Sequence, residues 1–221
     1  MPVSLHKQRT GASELLDLVR VPDEATELLV HVRDYTKGHP SLPANNHPVR
    51  HGGVVGIHNG IIVNDEEIFA EYGFERAEPE MTVDSEAIFA LVEHESHRAK
   101  ALEKLYGSMA TAWVDERLPD VLFAARGFGR PLWIGEGREE TFFASTREAI
   151  DLVERYAGVR LRAREVPEGC LLALVDGRVA RREAFEPDRS FTETLLPAVR
   201  APEERRFCLA RLAALAATAA G

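Results

Sequence analysis

Three short polar clusters stand at the ends of apolar runs: His31-Val32-Arg33, His58-Asn59-Gly60 and Val83-Asp84-Ser85-Glu86. Their residue types suit the handling of a free amino acid. An Arg fork takes a carboxylate through two parallel N–H bonds. An Asp carboxylate takes an ammonium. An Asn side-chain N–H and a neighbouring backbone N–H can hold an oxyanion. Arg33, Asp84 and the Asn59-Gly60 pair, with His58 beside it, are therefore candidates for one pocket in which an α-amino acid undergoes acyl transfer at its side chain. Spacing alone leaves the plainer reading open, because Asn-Gly pairs make turns and Asp caps helices.

The elements that must position these residues alternate in type along the chain. Ser13–Val19 reads as a short capped helix and Thr26–Arg33 as a strand. A polar stretch rich in Gly, Pro and Asn follows, from Asp34 to Gly53; loops of that length in a compact domain are usually functional or disordered. Strands are expected at Val54–His58 and Ile61–Val63, with His58-Asn59-Gly60 as a corner between them. Asn64 or Asp65 suits a helix N-cap. A second helix should run from about Asp84 to His94, opened by Asp84 and Ser85, with AKALEKLY extending or repeating it. Beyond Gly107 the texture is of strands: Ser108–Asp115, Asp120–Arg126, PLWIG, TFFAS, LRAREV, CLLALVD and RVARREAF. Asp120–Arg126 is apolar enough to be buried on both faces. Asp176-Gly177 is a hairpin turn signal. Thr146–Tyr156 is expected to be helical, as is the amphipathic PEERRFCLARLAALAATAA, whose Phe207, Leu209, Leu212 and Leu215 share one side. The order implies an α+β protein with helices packed on antiparallel sheets. We expect residues 1–185 to form the domain and 186–221 an extension packed on it.

Composition excludes several classes. The 221 residues carry a formal net charge of -9, which argues against general nucleic-acid binding. The Arg clusters at 160, 162 and 164 and at 178, 181 and 182 read as solvated faces. The two cysteines, Cys170 and Cys208, do not make a disulfide framework, and a cytoplasmic setting is expected. No run of ~18 apolar residues is present, so no membrane span is expected. The histidines His31, His39, His47, His51 and His58 match no tetrahedral spacing, and neither a metal nor a cofactor is expected. His94 and His97 read as exposed. No Gly-x-Ser-x-Gly elbow marks a serine hydrolase.

Six segments, in order from Leu28 to Asp176, resemble class II glutamine amidotransferases. HVRDYTKG is similar to the family's His-Thr-Arg loop and NNHPV to its Asn-x-His-Pro segment. VGIHNGIIVND is similar to His-Asn-Gly-x-Ile-x-Asn, and TVDSEAI to Thr-Asp-[ST]-Glu. LFAARGFGRPLWIG and TFFASTREAI resemble the strands that follow. The resemblance implies an N-terminal-nucleophile hydrolase sandwich, two antiparallel β-sheets between helix layers. It implies that Arg33 grips the glutamine α-carboxylate and Asp84 the α-ammonium. It implies that Asn59 and Gly60 form the oxyanion hole, with His58 in the same substrate-binding motif. Glutamine is the implied ligand, with an acceptor substrate or a synthase as partner. Apart from the resemblance, the last helix could close the core or form a homodimer contact, and helical spacing does not separate the two.

The sequence departs from the family at its start. The family's nucleophile is a Cys at residue 1 whose own free amine is the base. This sequence starts MPVSLHKQ, and the Arg-Gly-x-Asp segment that precedes the His-Thr-Arg loop is missing. Cys170 and Cys208 have acylated nitrogens and read as small core residues. Val32 replaces the usual Thr, and Asp34 stands where an aromatic residue is common. A full-length form would hydrolyse the glutamine carboxamide to glutamate and ammonia through a Cys thioester. The chain as given is expected to be catalytically incomplete: either a shortened form, or a non-catalytic binding or interaction module on the same fold.

Overall fold

The computed structural model describes residues 3–7, 18–32 and 37–192. The helix expected at Ser13–Val19 (all but its last two residues), Arg33, Cys208 and the helix expected at the C-terminus lie outside them. The described strands are β1 (Val49–His51), β2 (Val54–Ile62), β3 (Gly107–Asp115), β4 (Leu118–Arg126), β5 (Trp133–Glu136), β6 (Thr141–Ala144), β7 (Arg162–Glu165), β8 (Cys170–Val175) and β9 (Arg178–Ala184). The helices are α1 (Asp65–Tyr72), α2 (Glu86–His94), α3 (Arg98–Leu102) and α4 (Arg147–Ala157). One sheet has six strands in the order β1-β2-β3-β4-β8-β9, and the other has three, β6-β5-β7. Every pairing is antiparallel.

Four layers result. One face of the large sheet buries Val54, Ile62, Met109, Trp113, Phe123, Ala125 and Leu171 against Ile88, Phe89 and Leu91 of α2. The other face buries Ile57, Ala110, Ala112, Leu122, Ala124, Leu172 and Leu174 against Leu132, Ile134 and Val166 in and beside the small sheet. α4 covers the outer face of that small sheet, touching β5, β6 and β7. The expected sandwich of two sheets between helix layers is what forms. β4 supplies both cores from alternate residues, as its double-sided apolar run implied. Helix and sheet come unusually close at Gly56, where a Cβ would lie 2.2 Å from the Phe89 ring.

Local signals worked where they were strong. Thr146 caps α4 by accepting the Ala149 N–H at 3.2 Å, and Gly158 ends it in the left-handed region. Asp176 and Gly177 have φ of 48° and 69°, the double positive φ of a type I′ turn between β8 and β9.

Two expectations are corrected. His58-Asn59-Gly60 is no corner between two strands. All nine residues of β2 pair continuously with β3, from Val54↔Asp115 to Ile62↔Gly107. The Val and Ile residues on both sides carry extended backbone through the polar triplet. Residues 26–32 join no ladder; Leu29 instead packs against the inter-sheet core. The second helix forms as expected, Glu86–His94, with Asp84 and Ser85 opening it from just outside. Of the two options for AKALEKLY, a separate helix forms, α3, which stops at Leu102. Among the described residues no helix is long and apolar enough to cross a membrane.

Candidate functional site

The C-terminal half of β2 meets the start of α2, and the candidate residues gather there. Asp84 is 2% exposed, and its Oδ2 accepts the Ile62 backbone N–H at 2.7 Å. Ser85, equally buried, places its Oγ 2.9 Å from His58 Nδ1 and 3.2 Å from His47 Nε2. The other nitrogen of His58, Nε2, lies 3.2 Å from the Ser108 carbonyl oxygen. A carbonyl only accepts, so Nε2 carries the hydrogen and donates. In a neutral ring Nδ1 then accepts from the Ser85 hydroxyl. That hydroxyl has one hydrogen, so His47 Nε2–H donates to it. The His47 ring in turn packs on His31, with centroids 4.4 Å apart.

Strand alternation sends His58 toward the helix layer and Asn59 to the face of Ile57, toward the small sheet. Asn59 and Gly60 are half-buried. Gly60 has φ +143°, and a Cβ there would lie 2.0 Å from the Ser108 carbonyl oxygen. No other residue type fits without moving backbone.

The loop before β1 closes on the same place. Asn45, fully buried, accepts the Thr82 N–H at 2.8 Å and donates to His39 O at 3.2 Å. Asn46 donates to Pro40 O at 3.0 Å. The NNHPV and TVDSEAI segments are thus joined by Asn45–Thr82 and His47–Ser85. Asp84 and Ser85 touch β2 at Ile62 and His58, so Asn59 and Gly60 lie on the strand between those two contacts, with the Asn59 side chain on the face opposite His58. Arg33 lies outside the described residues, so its position relative to them is not described.

Sequence reading missed a buried charge cluster behind this site. Asp65 and Glu86 are both fully buried. Arg76 donates to Asp65 Oδ2 at 3.2 Å, to Glu86 Oε2 at 3.2 Å and to Val83 O at 3.1 Å. Lys37 Nζ sits 2.7 Å from Asp65 Oδ1, and Glu86 Oε1 also takes the Ala77 N–H at 2.7 Å and faces His51 Nδ1 at 2.9 Å. The Arg76 guanidinium lies 4.0 Å from the Phe69 ring centroid. Glu86 was visible in its motif, but nothing in the sequence marks Asp65 and Arg76 as its neighbours. Cys170, on β8, is half-buried. Burial pushes its thiol up despite the nearby Arg164 charge, which is the wrong direction for a nucleophilic thiolate. Of the arginines read as solvated, 160, 162, 178, 181 and 182 are exposed, while Arg164 pairs with Glu136 at 2.6 Å. His94 and His97 are exposed, as expected.

The sequence matches the model of a family described as the glutamine amidotransferase domain, over residues 36–152. The glutamine--fructose-6-phosphate aminotransferase of Shigella flexneri is 37% identical over 135 residues, 58% of this chain and 22% of that protein. The enzyme of the same name from Vibrio parahaemolyticus is 34% identical over 154 residues, 64% of this chain and 24% of that protein. Matched stretches therefore span less than a quarter of these relatives' lengths. Among solved structures, glutamine phosphoribosylpyrophosphate amidotransferase from B. subtilis superposes with a TM-score of 0.56 at 23% identity, covering 72% of this chain and 35% of that one. The allosteric regulatory enzyme of purine biosynthesis gives 0.54 at 23% identity, over 66% and 32%. The fold is the N-terminal-nucleophile hydrolase sandwich that the sequence resemblance implied.

Proposed function

This chain belongs to the class II glutamine amidotransferase domain family, and we propose that the junction of β2 and α2 is its glutamine pocket. The observation that carries the reading is the Asp84–Ile62 hydrogen bond, which holds a buried carboxylate two residues from Gly60. In this reading Asp84 takes the α-ammonium and Arg33 the α-carboxylate. Asn59 Nδ2 and the Gly60 N–H face the carboxamide oxygen, and His58 supports them from behind the strand.

Hydrolysis to glutamate and ammonia needs a thiol attack on the carboxamide carbon and a base to take the thiol proton. Cys170 and Cys208 are internal residues and bring no free amine. On their own, then, these 221 residues bind glutamine without turning it over. The ammonia acceptor, or the synthase that receives ammonia, is a partner supplied outside them. Calorimetry with glutamine, alongside an assay of glutamate release, tests the reading. Binding without release is expected. Release that persists in Cys170→Ala plus Cys208→Ala would mean a different nucleophile, and absence of binding would reject the pocket.

A further inference from the structure

We propose that Ser85 is a positioning residue for the Asn59-Gly60 pair, acting through the His58 ring; the functional meaning rests on the glutamine reading above. Two consecutive residues at the start of α2 grip β2 on either side of that pair. Asp84 holds Ile62 by its N–H at 2.7 Å, and Ser85 holds His58 by its ring at 2.9 Å. His58 and Ile62 are 3% and 1% exposed, whereas residues 59–61 between them are half-buried. The oxyanion residues are thus an accessible span slung between two buried clamps.

The span needs holding. Gly60 at φ +143° departs from ordinary strand backbone, and it leaves room for the Ser108 carbonyl where a Cβ would stand. The His58 ring fills the same space: its Nε2 would lie 2.8 Å from that Cβ and it caps the Ser108 carbonyl at 3.2 Å. One imidazole therefore ties the start of α2 to β3 across the back of Asn59 and Gly60. Its plane and tautomer are fixed only while both nitrogens have partners. Ser85 is the partner on the Nδ1 side, and its hydroxyl is itself oriented by His47 Nε2 at 3.2 Å.

The ordinary reason for a Ser at this place fails. Ser85 stands at the N-cap of α2, yet it has helical φ and ψ (-59° and -23°) and its side chain makes no capping hydrogen bond. Its hydroxyl is spent on the two histidines instead.

The test uses the full chain, ¹⁵N-labelled, as wild type, Ser85→Ala and Ser85→Thr. Ring ¹⁵N shifts read the His58 tautomer, and amide exchange reads the backbone of residues 58–61. The wild type is expected to hold His58 in the Nε2–H form. Ser85→Ala should give mixed tautomers and exchange at Asn59 and Gly60 about tenfold faster, the factor of one lost buried hydrogen bond. Ser85→Thr, which keeps the hydroxyl, should restore both. A single Nε2–H tautomer and unchanged exchange in Ser85→Ala would overturn the proposal. So would loosening spread evenly over β2 and α2, which marks a merely structural residue. A wild type that does not bind glutamine defeats the pocket reading, while the ring and amide signals still decide the role of Ser85.

Discussion

Gly60 shows how little freedom the site leaves. Its φ of +143° and the 2.0 Å approach of a Cβ to the Ser108 carbonyl combine strain with a backbone clash. Gly60→Ala should therefore cost about 3 kcal/mol or more of stability, read by urea denaturation. A cost under ~1 kcal/mol would mean the strand shifts freely there. Its neighbours should separate by role. In the proposed pocket Asp84 and Arg33 are assigned to the full charges of a bound amino acid, so Asp84→Ala or Arg33→Ala should leave one charge unpaired at about 2–5 kcal/mol. That is roughly 30-fold or more in glutamine affinity by calorimetry. Asn59 is assigned to charge that develops only during attack, so on the same proposal Asn59→Ala should leave affinity within about twofold. Loss of binding in Asn59→Ala with Arg33→Ala unaffected would reverse the assignment. These residues could be nominated from sequence because Arg, Asp and Asn-Gly are types that suit charge and oxyanion chemistry, while their separate roles came from the family resemblance. Ser85 was legible only as a motif member, because two histidines 38 and 27 positions away define what its hydroxyl does.

The starts of α1 and α2 are joined by charges that no local pattern reveals. Asp65 and Glu86 sit 21 positions apart and share Arg76. Replacing Arg76 with Met keeps the stem over Phe69 but leaves two buried carboxylates short of a partner. The expected loss is ~3 kcal/mol, read by denaturant titration. A second buried acid gives a pH test. Asp115 closes β3, fully buried, with Arg98 Nη2 at 2.6 Å from Oδ2 and Arg117 Nε at 2.8 Å from Oδ1. Burial pushes its carboxyl up, but the hydrogen bonds from Arg117 and Arg98 outweigh this and hold it below the ordinary value. A carboxyl with a depressed folded pKa stabilises above its unfolded pKa of ~3.9, and that contribution is lost as pH falls through the folded value. Thermal stability should therefore fall with acid below about pH 4, and Asp115→Asn should flatten that part of the curve. A mutant curve parallel to wild type would deny Asp115 this share. The strand read at Thr26–Arg33 fails for a related reason. Its apolar spacing only says that one side is covered, and Leu29 meets that need by packing on the inter-sheet core without any ladder.

The layering was legible because antiparallel strands and their turns are written locally, and β4 reads as double-sided from its composition alone. What was not legible is how the two sheets join, since that depends on side chains far apart in sequence. Leu172 of β8 and Ile134 of β5 are both fully buried in the core between them. At one end Glu136 of β5 reaches Arg164 at 2.6 Å in its own sheet and Arg182 of β9 at 3.7 Å in the other. There too the Thr141 hydroxyl donates to Gly177 O at 2.6 Å, seating the β8–β9 turn against β6. A three-stranded sheet of four-residue strands has little stability of its own. It should therefore unfold with the large sheet as one unit. The protein carries its own probes: of its two tryptophans, Trp113 lies on β3 and Trp133 on β5. Trp113→Phe leaves emission only from the small sheet, and Trp133→Phe only from the large one. In each variant the fluorescence midpoint in urea should coincide with that of far-UV circular dichroism. Trp113→Phe should shift both midpoints down together, because that ring is fully buried against Phe123 at a centroid distance of 5.2 Å. If Trp133 fluorescence moves at lower urea than the dichroism, the small sheet melts by itself and the shared core does not couple them.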